Sequence, residues 1–290
     1  SLLSSAWVWG GAGLALWGFA LISDTLPWDF SEVREFSGIA DQLWYLATLL
    51  VMAAGIAVLG ARRPGSHVWS WFVVLPMLLV LGWPCLFFWG NGWPPPRFSL
   101  MLPAFLAVCL VLIMSAGNYL GTRFSTPALC TGLACLLVIL PRTPWGWNLV
   151  PYEDEIRALA TLLMAGSVLF AARSLPTPAA SRLEHFWLDF RDWFGIVWAS
   201  RVQERLNEEA RRLRWPFRFH GDGVFFAEED ANAHPRRFDL SLKNLPPEVI
   251  RDLETTLIWV FRRFVDPPWI NARLGEELQI QSDSPLEQRD

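Results

Sequence analysis

The stretch QLWYLATLLVMAAGIAVLGA, from Gln42 to Ala61, decides the fold class. It carries no charged side chain, and as a helix rising about 1.5 Å per residue it would reach the roughly 30 Å needed to cross the hydrocarbon core of a bilayer. Leu2–Ser23, Val68–Trp89 and Phe98–Thr122 are equally free of charge. A water-soluble fold has no use for four such segments in a row. The first three-fifths of the chain therefore read as a polytopic helical membrane bundle.

Six spans are predicted: Leu2–Ile22, Gln42–Leu59, Val68–Trp89, Phe98–Leu120, Pro127–Leu140 and Ala158–Leu175. The last two are the shortest, and the sixth must let Arg173 reach back to the headgroups. The composition changes near Leu175. Before it stand 8 basic and 8 acidic residues, and after it 16 basic and 20 acidic residues in a shorter length. The bundle is thus assigned residues 1–175 and a water-exposed domain residues 176–268. Residues 269–290 are expected to be a polar tail. Net charge is slightly negative, which excludes binding to nucleic acid through phosphate neutralisation. Lys243 is the sole lysine, an arginine bias that reads as a GC-rich bacterial genome.

The connecting segments fall into two chemical classes. Arg62, Arg63 and Arg123 occupy the second and fourth loops without acids, and Arg173 and Arg182 follow the sixth span. Loops one and five instead hold Asp24, Asp29, Glu32, Glu35 and Asp41, then Glu153, Asp154 and Glu155, against Arg34, Arg142 and Arg157. Basic loops remain cytoplasmic. The expected location is the bacterial inner membrane, multi-pass, with the C-terminus in the cytoplasm. The chain opens on Ser1 rather than methionine, so its natural start is expected further upstream, and no cleavable signal peptide is expected.

Trp28, Trp93, Trp145 and Trp147 lie among prolines in the odd loops, where an apolar ring with one N–H donor suits the headgroup layer. Pro144-Trp145-Gly146-Trp147-Asn148 resembles the tryptophan-rich external loop of haem-handling cytochrome c assembly proteins. Those proteins add histidine ligands on the outer face. Here His67, His185, His220 and His234 all fall on the expected inner side, so no haem or other cofactor is expected. Cys85, Cys109, Cys130 and Cys135 lie in apolar segments without Cys-x-x-Cys spacing, which predicts core residues and no metal site.

After Pro176-Thr177-Pro178, residues Phe186, Phe190, Trp193 and Val197 step by three and four, with Trp187, Phe194 and Trp198 beside them. This periodicity predicts one amphipathic helix over 181–213. Its aromatic face suits either the inner headgroup layer or packing within its own domain, and Arg211-Arg212-Leu213-Arg214 at its end would sit well near anionic lipid. The first assignment makes Trp187, Phe190, Trp193, Phe194 and Trp198 membrane-interface residues. The period then changes to two. Phe217–Phe226 around Gly221-Asp222-Gly223 predicts a hairpin, and Phe238–Lys243 a third strand. Pro246-Pro247-Glu248 opens a second helix, which Asp266-Pro267-Pro268 closes. The domain reads as a small α+β unit: helix, hairpin, strand, helix.

The cores of the predicted spans lack Asp, Glu, Lys, Arg and His. That argues against a proton relay, a buried zinc site or a carboxylate dyad, because membrane charge is costly and retained for work. His220, Asp222 and His234, with Asp239, form the one cluster able to make a catalytic site if the fold brings them together. Glycines 10, 11 and 13, and Ala53, Ala54 and Gly55, suit close helix packing in a bundle or a homo-oligomer. The favoured functional reading is a non-catalytic accessory protein, seated in the lipid bilayer, whose cytoplasmic domain docks a protein partner. The alternatives are a permease or lipid-handling subunit for a neutral solute, with a cavity lined by Ser115, Asn118 and Thr131, and a membrane enzyme acting near His220 and His234.

Overall fold

The computed structural model describes residues 3–25, 37–61, 66–89, 99–227, 236–238 and 245–274. They form two compact units, Leu2–Ser174 and Leu175 onward. The protein is mainly helical, with one small two-stranded sheet.

The first unit contains α1 (Ser4–Thr25), α2 (Ser37–Leu59), α3 (Ser66–Trp69), a π-helical turn at Ser70–Val74, α4 (Leu75–Trp89), α5 (Leu102–Gly117), α6 (Ser125–Ile139) and α7 (Glu153–Arg173). Helix α2 is the hub. Its Trp44, Tyr45, Leu49 and Met52 share one core with Trp17 of α1, Leu81 of α4, Val108 of α5, Cys135 of α6 and Met164 of α7. Close approach depends on small residues. A Cβ on Gly13 would lie 2.7 Å from the Val51 nitrogen, and one on Gly55 would strike the Ser115 side chain of α5. Gly13 of α1 and Gly55 of α2 therefore serve packing within this chain.

Polar side chains in the unit bond across helices. Tyr45 donates its hydroxyl to the Leu81 carbonyl at 2.8 Å, in the turn that Pro84 disrupts. Trp17 donates its indole N–H to Thr161 at 3.2 Å, and Trp69 donates to the Ile56 carbonyl at 3.0 Å.

Four helices are long and apolar enough to cross a membrane: Ser4–Thr25, Gly38–Leu59, Ser125–Arg142 and Trp147–Arg173. Two more apolar helices, Ser70–Cys85 and Leu102–Gly117, are shorter. The length order differs from the sequence expectation. The predicted fourth span, Phe98–Leu120, forms only a short helix, because turns built on Thr122 and on Gly121 (φ 79°) follow α5 at once. The fifth and sixth segments are longer than predicted. They gain 3₁₀ turns at Leu140–Arg142 and Trp147–Tyr152, and Arg142, Glu153 and Arg157 are paired there. Large apolar side chains, among them Trp7, Phe19, Phe72, Val80, Ile113 and Leu162, point outward. Such a coat would be a liability in water and is compatible with lipid.

The second unit contains α8 (Arg182–Arg212), β1 (Phe217–His220), β2 (Gly223–Phe226), α9 (Pro247–Phe261) and α10 (Pro267–Leu274). Ser181 caps α8 by accepting the Glu184 N–H at 3.2 Å. Helix α8 is not the single straight helix predicted. Gly195 breaks it with φ 79° and ψ 175°, a backbone region open essentially to glycine alone.

The aromatic face of α8 turns into its own unit. Phe190 packs edge-on against Phe261 at 4.7 Å and Phe264 at 5.4 Å. Phe194 and Trp198 also meet Phe264, and Trp187 meets Phe219. Trp187, Phe190, Phe194 and Trp198 are buried, with Trp193 half-buried. Four of the five α8 residues assigned to the membrane interface thus pack within their own unit. Aromatic faces on α8, α9 and β1 find one another before they need lipid.

Strands β1 and β2 form the expected antiparallel hairpin, with His220 opposite Gly223. The Asn207 side-chain amide donates to the Phe219 carbonyl and accepts its N–H, each at 2.8 Å, serving as a strand partner for β1. Residues 236–238 add to β2: Phe226 N–H donates to the Arg236 carbonyl at 2.9 Å, and Phe238 N–H to the Val224 carbonyl at 2.8 Å. The rest of the predicted third strand lies outside the described residues. Pro267 and Pro268, read as a stop, also open α10, because proline suits a first helical turn. Ile270 and Leu274 of α10 are buried, so ordered structure continues past the predicted boundary at 268.

Candidate functional site

Five ionisable groups of the first unit converge at one end of its helices. Asp24 ends α1, Asp41 lies near the start of α2, Arg142 follows α6, and Glu153 and Arg157 open α7. Arg142 Nη2 donates to Asp41 Oδ1 at 2.6 Å, and Arg157 Nη2 donates to the same oxygen at 2.7 Å. Arg157 Nη1 reaches Asp24 at 3.0 Å. Both guanidinium groups also pair with Glu153. The Trp44 indole N–H donates to Asp24 at 2.7 Å, and Arg157 lies over the Trp44 ring. Asp41 is 2 % exposed, and Arg142 and Glu153 are 7 % exposed.

Backbone contacts extend the cluster. The Arg142 carbonyl accepts the Leu100 N–H at 2.7 Å, which ties in the segment before α5. The turn after Arg142 needs Gly146, whose Cβ would collide with the Leu140 carbonyl. Two guanidinium groups thus sit among three carboxylates and join α1, α2, α7, the turn after α6 and the approach to α5. Planar, always-charged donors opposite acceptor-only carboxylates suit a fixed electrostatic clasp.

Sequence reading assigned these five residues to loops one and five, as charges bearing on topology. What the sequence did hold was their placement: all five flank spans on one predicted side, and both signs are present among them. Their burial and mutual pairing depend on how the helices pack.

His220 and Asp222 are exposed, and the His220 ring lies nearly perpendicular to that of Phe225 at 5.2 Å. Helix α8 grips this turn by its backbone. Trp187 donates to the His220 carbonyl and Arg191 to the Gly221 carbonyl, each at 2.6 Å. Glu184, buried beneath, approaches Gly223 so closely that a Cβ there would have to displace its carboxylate. His234 and Asp239 lie outside the described residues. Among the described residues, no three His, Cys, Asp or Glu side chains group to hold a metal ion.

Of the predicted interface tryptophans, Trp145 and Trp147 are largely exposed, and Trp28 and Trp93 lie outside the described residues. Among the arginines expected to set topology, Arg173 and Arg182 are exposed and Arg123 lies over the Phe124 ring at 4.8 Å. Arg62 and Arg63 are outside the described residues. The neutral residues expected to line a cavity take part in packing. Thr131 bonds to Ser167 at 2.7 Å, Ser115 faces Gly55, and Asn118 is buried.

Glu254 of α9 is half-buried, and that burial raises its pKa above the usual carboxylate value. Arg218 is lowered by burial and by the neighbouring Arg211. Neither belongs to a cluster of catalytic form. Comparison of the chain with protein-family models, with curated proteins and with solved structures returned no match.

Proposed function

We propose that this chain is a multi-pass accessory protein of the bacterial inner membrane, crossing six times, whose C-terminal unit docks a protein partner on the cytoplasmic face. The observation that carries this reading is the fate of the charges in the first unit. Five of them are bound to one another at one end, an arrangement suited to holding helices together and poorly suited to passing a proton or solute along them. The involvement of Ser115 and Thr131 in helix packing takes from a permease the lining it would need. Two shorter apolar helices beside four long ones still allow six crossings where the bilayer thins or flanking residues reach the headgroups. The even loops carry arginine without acid, which supports a cytoplasmic C-terminus. The second unit brings its own aromatic core and a hairpin held firmly on α8, and so offers a stable surface to a partner.

Affinity purification of the tagged full chain from its native membranes in mild detergent tests this. A stoichiometric protein partner is expected, and it should be lost when residues 175–290 are deleted. A preparation containing only the chain itself would overturn the docking role.

A further inference from the structure

The aromatic face that could have met lipid is buried, yet the second unit carries another aromatic surface with the opposite chemistry around it. On the outer side of α8 beyond Gly195 and of the last turns of α9 stand Val197, Arg201, Arg205, Trp259, Arg262 and Arg263. Trp259 and Val197 are each 39 % exposed. Arg205 lies over the Trp259 ring at 5.1 Å and Arg263 over the same ring at 5.9 Å, so the two helices share one surface. Arg201 stacks on Trp198 at 5.0 Å, and Trp198 in turn packs on Phe264 just beyond α9. Arg262 lies three residues beyond Trp259, on the same side of the helix.

The charges on this face are unequally engaged. Arg205 is shared with Glu208 and Glu209. Among the described residues, no carboxylate pairs with Arg201, Arg262 or Arg263. Three guanidinium groups without a carboxylate partner among the described residues, set around a half-exposed indole, match a surface that offers phosphate oxygens above a shallow apolar layer. Guanidinium groups bind phosphate through paired donors, and tryptophan favours the headgroup depth.

We propose that this face binds the headgroups of anionic phospholipids. The inference rests on the reading of the first unit as lipid-embedded, since chain continuity through Leu175 then keeps the second unit near a bilayer at high effective concentration. It adds a lipid ligand and a surface that the docking role does not require.

The test uses the full chain in nanodiscs of phosphatidylcholine alone, or of phosphatidylcholine with phosphatidylglycerol. Exposed arginines are modified with phenylglyoxal and located by mass spectrometry. In the anionic discs Arg201, Arg262 and Arg263 are expected to react about threefold or more slowly, while Arg236 beside the hairpin keeps its rate. In 1 M salt, where screening shortens the reach of charge to about 3 Å, the protection should disappear. The double variant Arg262→Glu with Arg263→Glu, at two exposed positions, should remove the lipid-dependent protection of Arg201. Equal reactivity in both kinds of disc, with the chain inserted, would overturn the lipid site and leave the membrane reading intact. Failure of the chain to enter even neutral discs would contradict the membrane reading and this inference with it.

Discussion

Arg142→Met is expected to lower the unfolding temperature of the helical unit sharply, whereas Glu153→Gln lowers it far less. The contrast follows from counting charge in the clasp. Three carboxylates, Asp24, Asp41 and Glu153, face two guanidinium groups, Arg142 and Arg157. Removing Arg142 leaves three buried or half-buried carboxylates to a single cation. Deleting one partner of a buried pair costs about 3–5 kcal/mol, because the group left behind is uncompensated. For a unit of this size that is a fall of roughly 10 °C. Glu153→Gln instead equalises the charges and keeps an acceptor oxygen toward both arginines. Thermal unfolding of the detergent-solubilised full chain, followed by tryptophan fluorescence, distinguishes the two. Comparable melting of Arg142→Met and the parent chain would show that the cluster does not hold the helices.

Gly195→Ala is expected to loosen the second unit. At φ 79° and ψ 175° a Cβ meets the backbone in a region where residues other than glycine are strained by about 1–3 kcal/mol. Relief would require straightening α8, and the positions of Phe190 and Trp198 on either side of the break would then no longer suit Phe264. Amide hydrogen exchange in α8 of the full chain should therefore quicken by about tenfold or more. Ser200→Ala, at an exposed position on the same helix, is the control and should exchange as the parent does. Unchanged exchange in Gly195→Ala would mean that the break carries no structural weight.

How far these features could be read in advance depended on the range of the interactions involved. Apolar helices such as Gly38–Leu59 were legible because length and freedom from charge are properties of a single segment. The hairpin at Phe217–Phe226 was legible because alternation and a glycine turn are also local. The clasp was not. Asp41 and Arg142 are 101 positions apart, and a charge beside a span looks the same in sequence whether it faces water or a partner. The destination of α8's aromatic residues was equally hidden, since periodicity defines a face without naming what covers it. Phe261, Phe264 and Phe219 cover it here. Gly195 could have been suspected as a weak point in a long helix, and Pro267-Pro268 as a beginning as well as an end.

Lipid embedding of the first unit is the premise of the proposed docking role and of the proposed lipid-binding face. Alkaline carbonate extraction of membranes containing the full chain tests it most directly. The chain is expected to stay with the membrane pellet and to be released only by detergent. Its recovery in the aqueous supernatant without detergent would contradict that embedding.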